Sequence, residues 1–211
     1  MSLELWLMFF AAYLLVTLSP GPNVILVLKN SIEFGLPATV ITILGNLFCQ
    51  LIIVSLVAYG VGGLLVQLPH WFTVMKCVGG VYLIYLGIKS FRSAQPQSIN
   101  LDNDTEIRLK KSPWSLFLEA FWVSASNPKT LIFLSAFLPQ FLDIQHSHLE
   151  QFATMYLTIC LIVTVIHIGY AVLVCHLGKK LNISNVQKRL AKVSGGLFIT
   201  MGGGVLLSSK P

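Results

Sequence analysis

Two short polar interruptions inside apolar runs are the places where this sequence could do chemistry. The first is Ser19-Pro20-Gly21-Pro22-Asn23, and the second is Asn127-Pro128-Lys129. A proline inside a helix removes a backbone donor and clashes with the preceding turn, and Gly21 adds backbone freedom. A helix broken in this way leaves amide and carbonyl groups unpaired. A hydrocarbon environment tolerates that only where the break faces protein or a water-filled cavity. Lys129 sharpens the pattern, because an ammonium near the centre of a bilayer costs roughly 2.5–3.5 kcal/mol on insertion scales. Beside a broken helix it could hold a substrate carboxylate. Ser19, Pro20, Gly21, Pro22, Asn23, Asn127, Pro128 and Lys129 are therefore the first candidates for a binding site.

Asn46 and Gln50 share one face of a later apolar run, four residues apart, and could line the same cavity or glue helices together. Glu119 and His167 are the candidates for handling a proton. His167 lies mid-run, and imidazole titrates near neutrality. Glu119 lies ten residues before Lys129, about 15 Å of helix rise, too far for the two to touch within one helix. Cys49, Cys77, Cys160 and Cys175 show no C-x-x-C spacing and read as small hydrophobes. No cofactor or metal is expected.

The elements that must position these residues are membrane helices. Of 211 residues, 55% are hydrophobic and only 10% charged, against about 25% charged in soluble domains. No charged residue lies between Glu33 and Lys76, or between Glu150 and Lys179. Both gaps exceed the roughly 20 residues that cross a hydrocarbon core. The expectation is an all-α polytopic membrane protein with six transmembrane helices: 5–28, 38–66, 71–91, 114–138, 152–177 and 188–207. The net charge of +6 carries no nucleic-acid motif and does not point to that partner. Of the fourteen lysines and arginines, all but Lys76, Lys129 and Lys210 fall in the first, third and fifth loops. The positive-inside rule then puts those loops in the cytoplasm and both termini in the periplasm.

The two halves resemble each other. Lys76, Gly79, Gly80 and Gly87 align in register with Lys192, Gly195, Gly196 and Gly203, and the break at 19–23 corresponds to that at 126–129. Three spans per copy force the second copy to insert upside down, so the expectation is two inverted three-helix repeats, at 1–91 and 114–211. The cytoplasmic linker 92–113 joins them. Inverted repeats, with a site at their interface, are typical of secondary transporters.

At these residues the chain resembles the LysE/RhtB family of bacterial amino-acid exporters. The resemblance covers nearly the whole chain. It rests on Ser19-Pro20-Gly21-Pro22-Asn23, on Gly80-Val81-Tyr82-Leu83-Ile84-Tyr85-Leu86-Gly87 and on Asn127-Pro128-Lys129. The stretches Val27-Leu28-Lys29-Asn30-Ser31 and Pro139-Gln140-Phe141-Leu142-Asp143 are most similar to the leucine-exporter branch. The resemblance implies six helices, the bacterial inner membrane, and proton-driven efflux of neutral or other amino acids by a non-enzyme. Two copies could pair as a homodimer. One departure stands out: many members carry an aspartate where this chain has Asn46, and an asparagine cannot carry a proton. Coupling would then fall to Glu119 or His167, or work differently. A membrane thiol-redox carrier is the alternative, with Cys49 and Cys160 in spans 2 and 5. It would need a polar neighbourhood that activates a thiolate. No G-x-S-x-G or H-E-x-x-H motif supports a membrane hydrolase.

Overall fold

A computed structural model describes residues 1–19, 21–67, 77, 81, 84, 85, 87–89, 111–142, 146–177, 192, 195, 196, 199, 200 and 203. Among them every regular element is helical. Spans 3 and 6 and the linker 92–113 lie largely outside the described residues.

Helix α1 (Leu3–Leu18) starts at Ser2, whose hydroxyl accepts from the Leu5 amide at 3.3 Å. Glu4 in the first turn favours the positive end of the helix dipole. The helix stops at Ser19, which is extended (φ −67°, ψ 125°). Helix α2 (Pro22–Gln67) then begins on a proline, whose missing N–H costs nothing at a first helical position. It is bent at Gly35 (φ 79°, ψ −173°), a backbone conformation that only glycine reaches without strain. Gly35 thus divides α2 into an arm 22–34 and an arm 36–67. Asn30 Nδ2 donates to Thr42 Oγ1 at 3.0 Å, which ties the two arms together as a hairpin.

Helix α3 (Pro113–Ala125) is capped by Ser112, whose hydroxyl accepts from the Ser115 amide, and it ends at Ser126. After the break, α4 (Pro128–Ile132) continues as a π-helical turn, Phe133–Phe137, and a 3₁₀ turn, Leu138–Phe141. Helix α5 (His148–Leu177) is unbroken.

The described parts of spans 1, 2, 4 and 5 are helical, with ends that differ from those expected. The first span was expected to close at Leu28, but helix continues to Phe34. Lys29 and Glu33 suggested a loop, yet Lys29 simply points outward from a helical turn. The fourth span runs to Phe141 instead of Leu138, and the fifth begins at His148 instead of Phe152.

Helices Pro22–Gly60 and His148–Val174 are long and apolar enough to cross a bilayer. On α5 the residues Leu157, Leu161, Val165, Ile168 and Val172 are all exposed. They repeat at helical spacing and form one exposed apolar stripe, a kind of surface that suits lipid better than water. The opposite face packs Met155, Ile159, Ile162 and Val163 into the core with Phe9, Tyr13, Phe133, Phe137 and Phe141.

Two contacts require glycine. A Cβ on Gly45 would sit 2.4 Å from the Phe117 carbonyl oxygen and 2.9 Å from Ala120 Cβ, so α2 and α3 touch backbone to backbone there. A Cβ on Gly87 would lie 2.7 Å from the Gly195 carbonyl oxygen. Small residues permit such close approach of membrane helices.

Gly45→Val should therefore push α3 off α2 and lower stability by about 1–3 kcal/mol, the usual range for overpacking. Gly60→Ala meets nothing within 4 Å and should be neutral or slightly stabilising. Thermal unfolding of the two purified variants in detergent checks the contrast.

Candidate functional site

The last carbonyls of a helix have no intrahelical partner. At the end of α1 they are met by groups from distant parts of the chain. Lys129 Nζ donates to Val16 O at 2.9 Å and to Ser19 O at 2.8 Å. Tyr170 Oη on α5 donates to Leu18 O at 2.9 Å. The ammonium thus sits at the negative end of the α1 dipole, the position where a cation is stabilised. Gly21 makes room for it, since a Cβ there would lie 3.2 Å from Nζ.

The second link joins the two breaks through asparagines. Asn127 caps α4, its Oδ1 accepting from the Lys129 amide at 3.1 Å. Its Nδ2 donates to Asn23 Oδ1 at 3.2 Å. Asn23 Nδ2 in turn reaches Ser124 Oγ and Thr130 Oγ1, both at 3.4 Å. Asn23, Asn127, Ser124 and Thr130 are all buried. Each break is therefore satisfied by the other.

Between them lies a small cavity with about 30 Å³ open to the centres of water molecules. That is room for two or three waters, which need about 10–15 Å³ each on this measure. An amino acid does not fit without movement. Asn23, Gln50, Asn127, Lys129, Thr130 and His167 supply its polar walls, and Val16, Val24, Phe133 and Val163 its apolar ones. Tyr13 Oη donates to Gln50 Oε1 at 3.0 Å along one side. His167 is buried, and its Nδ1 has no hydrogen-bond partner among the described residues.

Of the residues singled out from sequence, Gly21, Asn23, Gln50, Asn127, Lys129 and His167 line this cavity, and Ser19 contributes a carbonyl to Lys129. Pro20 lies outside the described residues. Pro22 and Pro128 are exposed and act by starting the helices that follow the breaks. Asn46 is buried one turn from Gln50 but is not part of the wall. Glu119 is elsewhere, paired with Lys111 at 2.8 Å and partly exposed. No lining residue is a cysteine. Sequence reasoning did not reach Tyr13, Thr17, Ser124, Thr130 and Tyr170. Ser124 and Thr130 each lie three residues from Asn127, so helical spacing around the break was the available signal.

A family model described as "LysE type translocator" matches residues 14–209. A homoserine/homoserine lactone efflux protein of Salmonella typhimurium is 31% identical over 202 residues, covering 96% of each chain. A leucine efflux protein of the same organism is 28% identical, over 87% of this chain and 84% of its own. An uncharacterized membrane protein of Vibrio cholerae is 29% identical over 99% of this chain and 98% of its own. No solved structure matches.

Lys129→Met should strand two buried carbonyls and cost about 1–3 kcal/mol, whereas Tyr170→Phe removes one neutral bond and should cost about 0.5–1.5 kcal/mol. Unfolding of the two variants under identical detergent conditions reads the order; equal losses would mean that Lys129 adds nothing as a cap.

Proposed function

This chain belongs to the LysE type translocator family, and we propose that it exports small neutral amino acids across the bacterial inner membrane by alternating access. The observation that carries the reading is the joined pair of broken helices around one cavity, with Lys129 of one break bonded to the backbone of the other. Relatives named for efflux of homoserine or leucine support a neutral amino acid as cargo.

In this reading the substrate carboxylate meets Lys129. The ammonium has three donors, of which two are on carbonyls in the closed state. The carboxylate takes the remaining donor and competes for the others. The N-terminal end of the arm that begins at Pro22 adds a favourable dipole for an anion. The substrate ammonium has carbonyl oxygens at the α1 terminus and the side-chain oxygens of Asn23 and Gln50 as partners. A larger volume than the present cavity is required, so binding goes with separation of the two breaks.

The wider architecture belongs to the same proposal. Six helices in two inverted repeats would place the breaks at equal depth, and both termini would face the periplasm. A proton gradient would drive the cycle. Of the two groups considered for the proton, His167 stands in the cavity wall with an unpaired ring nitrogen, while Glu119 is engaged by Lys111.

Export of radiolabelled leucine and homoserine from loaded proteoliposomes tests this directly. Lys129→Ala should cut the rate tenfold or more, the loss expected when a charge-assisted contact of about 1.5–3 kcal/mol disappears. An unchanged rate removes Lys129 from the substrate site.

With an imposed pH gradient, His167→Gln should export at a rate that no longer responds to the gradient, and Glu119→Gln should keep the wild-type response. A full response in His167→Gln assigns coupling to another group.

A further inference from the structure

The cavity is closed very differently on its two sides. On one side five aromatic rings form a closed loop: Phe9 to Tyr13 at 5.8 Å, Tyr13 to Phe133 at 5.5 Å, Phe133 to Phe137 at 4.8 Å, Phe137 to Phe141 at 5.2 Å, and Phe141 back to Phe9 at 5.4 Å. All five side chains are buried. That side is dry.

The other side follows the seam between the two arms of α2. Along the second arm, Thr39, Thr42, Asn46 and Gln50 are spaced 3, 4 and 4 residues apart, which puts them on one narrow face. All four are buried. The Asn30–Thr42 bond sets the register of the hairpin. Counting one helical turn from that bond in each arm puts Asn46 level with residues 26–27, and a second turn puts Gln50 level with Asn23 at the cavity. The polar stripe therefore runs without a gap from the cavity toward the bend at Gly35. It points away from the aromatic loop, since Gln50 meets Tyr13 while Val54, one turn further on, packs in the aromatic core.

Polar residues on a helix seam are commonly interhelical glue, and glue is partnered. Thr39, Thr42 and Gln50 in this stripe are partnered, by the Gly35 carbonyl, Asn30 and Tyr13, but Asn46 is not. Among the described residues neither Asn46 side-chain atom, Nδ2 or Oδ1, has a partner, nor does Asn30 Oδ1, although both residues are fully buried. A carboxamide cannot remain unpaired in a dry interior without a large penalty. Something polar must reach it in part of the working cycle.

We infer that the α2 seam is the hydrated loading route, along which a zwitterionic amino acid and its water reach the central cavity from the membrane face that carries Gly35. The inference rests on the export reading for its cargo, and on the geometry for its course. Thr42 and Asn46 are its lining, with the aromatic loop as the closed exit. Lysine and arginine placement assigns the Gly35 face to the cytoplasm, the side from which an exporter must load.

The test uses the full chain with Cys49, Cys77, Cys160 and Cys175 changed to alanine, carrying Thr42→Cys, Asn46→Cys or, as a lipid-facing control, Leu44→Cys. Leu44 is exposed on the outside of the same arm. A membrane-impermeant quaternary-ammonium methanethiosulfonate is added to inside-out and to right-side-out vesicles. Thiolates form and react only where water reaches them, so both seam cysteines should label about tenfold or more faster than Leu44→Cys. They should do so from the inside-out side alone, and labelled Thr42→Cys should lose export. Labelling no faster than Leu44→Cys, or from the other side, or equally from both, overturns the route, as does full export after complete modification of Thr42→Cys. Thr42 and Asn46 are read independently, so one variant that fails to fold leaves the other to decide. Labelling needs no transport. A chain that labels on the predicted side yet exports nothing would sink the export reading while leaving the hydrated seam in place.

Discussion

The ammonium of Lys129 on the carbonyls of Val16 and Ser19 is the contact on which the rest of the centre depends. A helix may not simply stop inside a hydrocarbon layer, because nothing there satisfies its terminal groups. Here α1 stops at mid-sequence of an apolar run, and the cation that closes it belongs to the start of another interrupted helix. One charge thereby answers two costs. The carbonyl terminus of α1 gains its missing donors, and the lysine gains the partners without which it could not sit there. Neither break is stable alone. Each is the other's solvent.

Such mutual satisfaction also explains why the cavity is so small. Asn23 and Asn127 are joined to each other and to Ser124 and Thr130, so few polar groups are left for water. His167 Nδ1 is one of the few. For a translocator this closed arrangement has a useful consequence. In the proposed cycle a carboxylate that takes Lys129 from the α1 carbonyls would remove two of the bonds holding the two breaks together, so that cargo binding would favour their separation. A ligand shifts a conformational balance only by its difference in affinity for the two states, and competition for a single ammonium supplies that difference. In that proposal the same group would serve as a clasp when empty and as a binding site when loaded.

Much of this was legible in the residues. Proline, glycine and a lone lysine within apolar runs located both breaks, because each of those types has a specific cost in a membrane helix. The partners of the breaks were not legible. Lys129 stood out as a lone cation, but the main-chain oxygens it bonds here are partners that no side-chain pattern advertises. Asn127 and Asn23 were named as candidates, but their direct bond depends on how two segments more than a hundred residues apart come together. Glu119 looked available because Lys129 was too far away along the helix; Lys111, eight residues before it, is the partner that counts. The extension of helix to the bend at Gly35 was hidden by Lys29 and Glu33, whose charges read as loop until the helix surface at that level is seen to lie outward.

The two sides of the cavity differ in what closes them. Aromatic rings pack without any polar demand, so the loop from Phe9 to Phe141 can be closed and dry at little cost. The π-helical turn at Phe133–Phe137 and the 3₁₀ turn after it lie within that loop, and irregular helical turns of this kind often mark functional sites or hinges. The α2 seam is the reverse case, regular in backbone and incomplete in its polar pairing at Asn46 and Asn30. A dry plug resists opening through lost packing, whereas an unpaired amide favours opening through gained hydration. The two sides therefore differ in what it costs to admit water, and a difference of that kind lets one side open while the other remains shut.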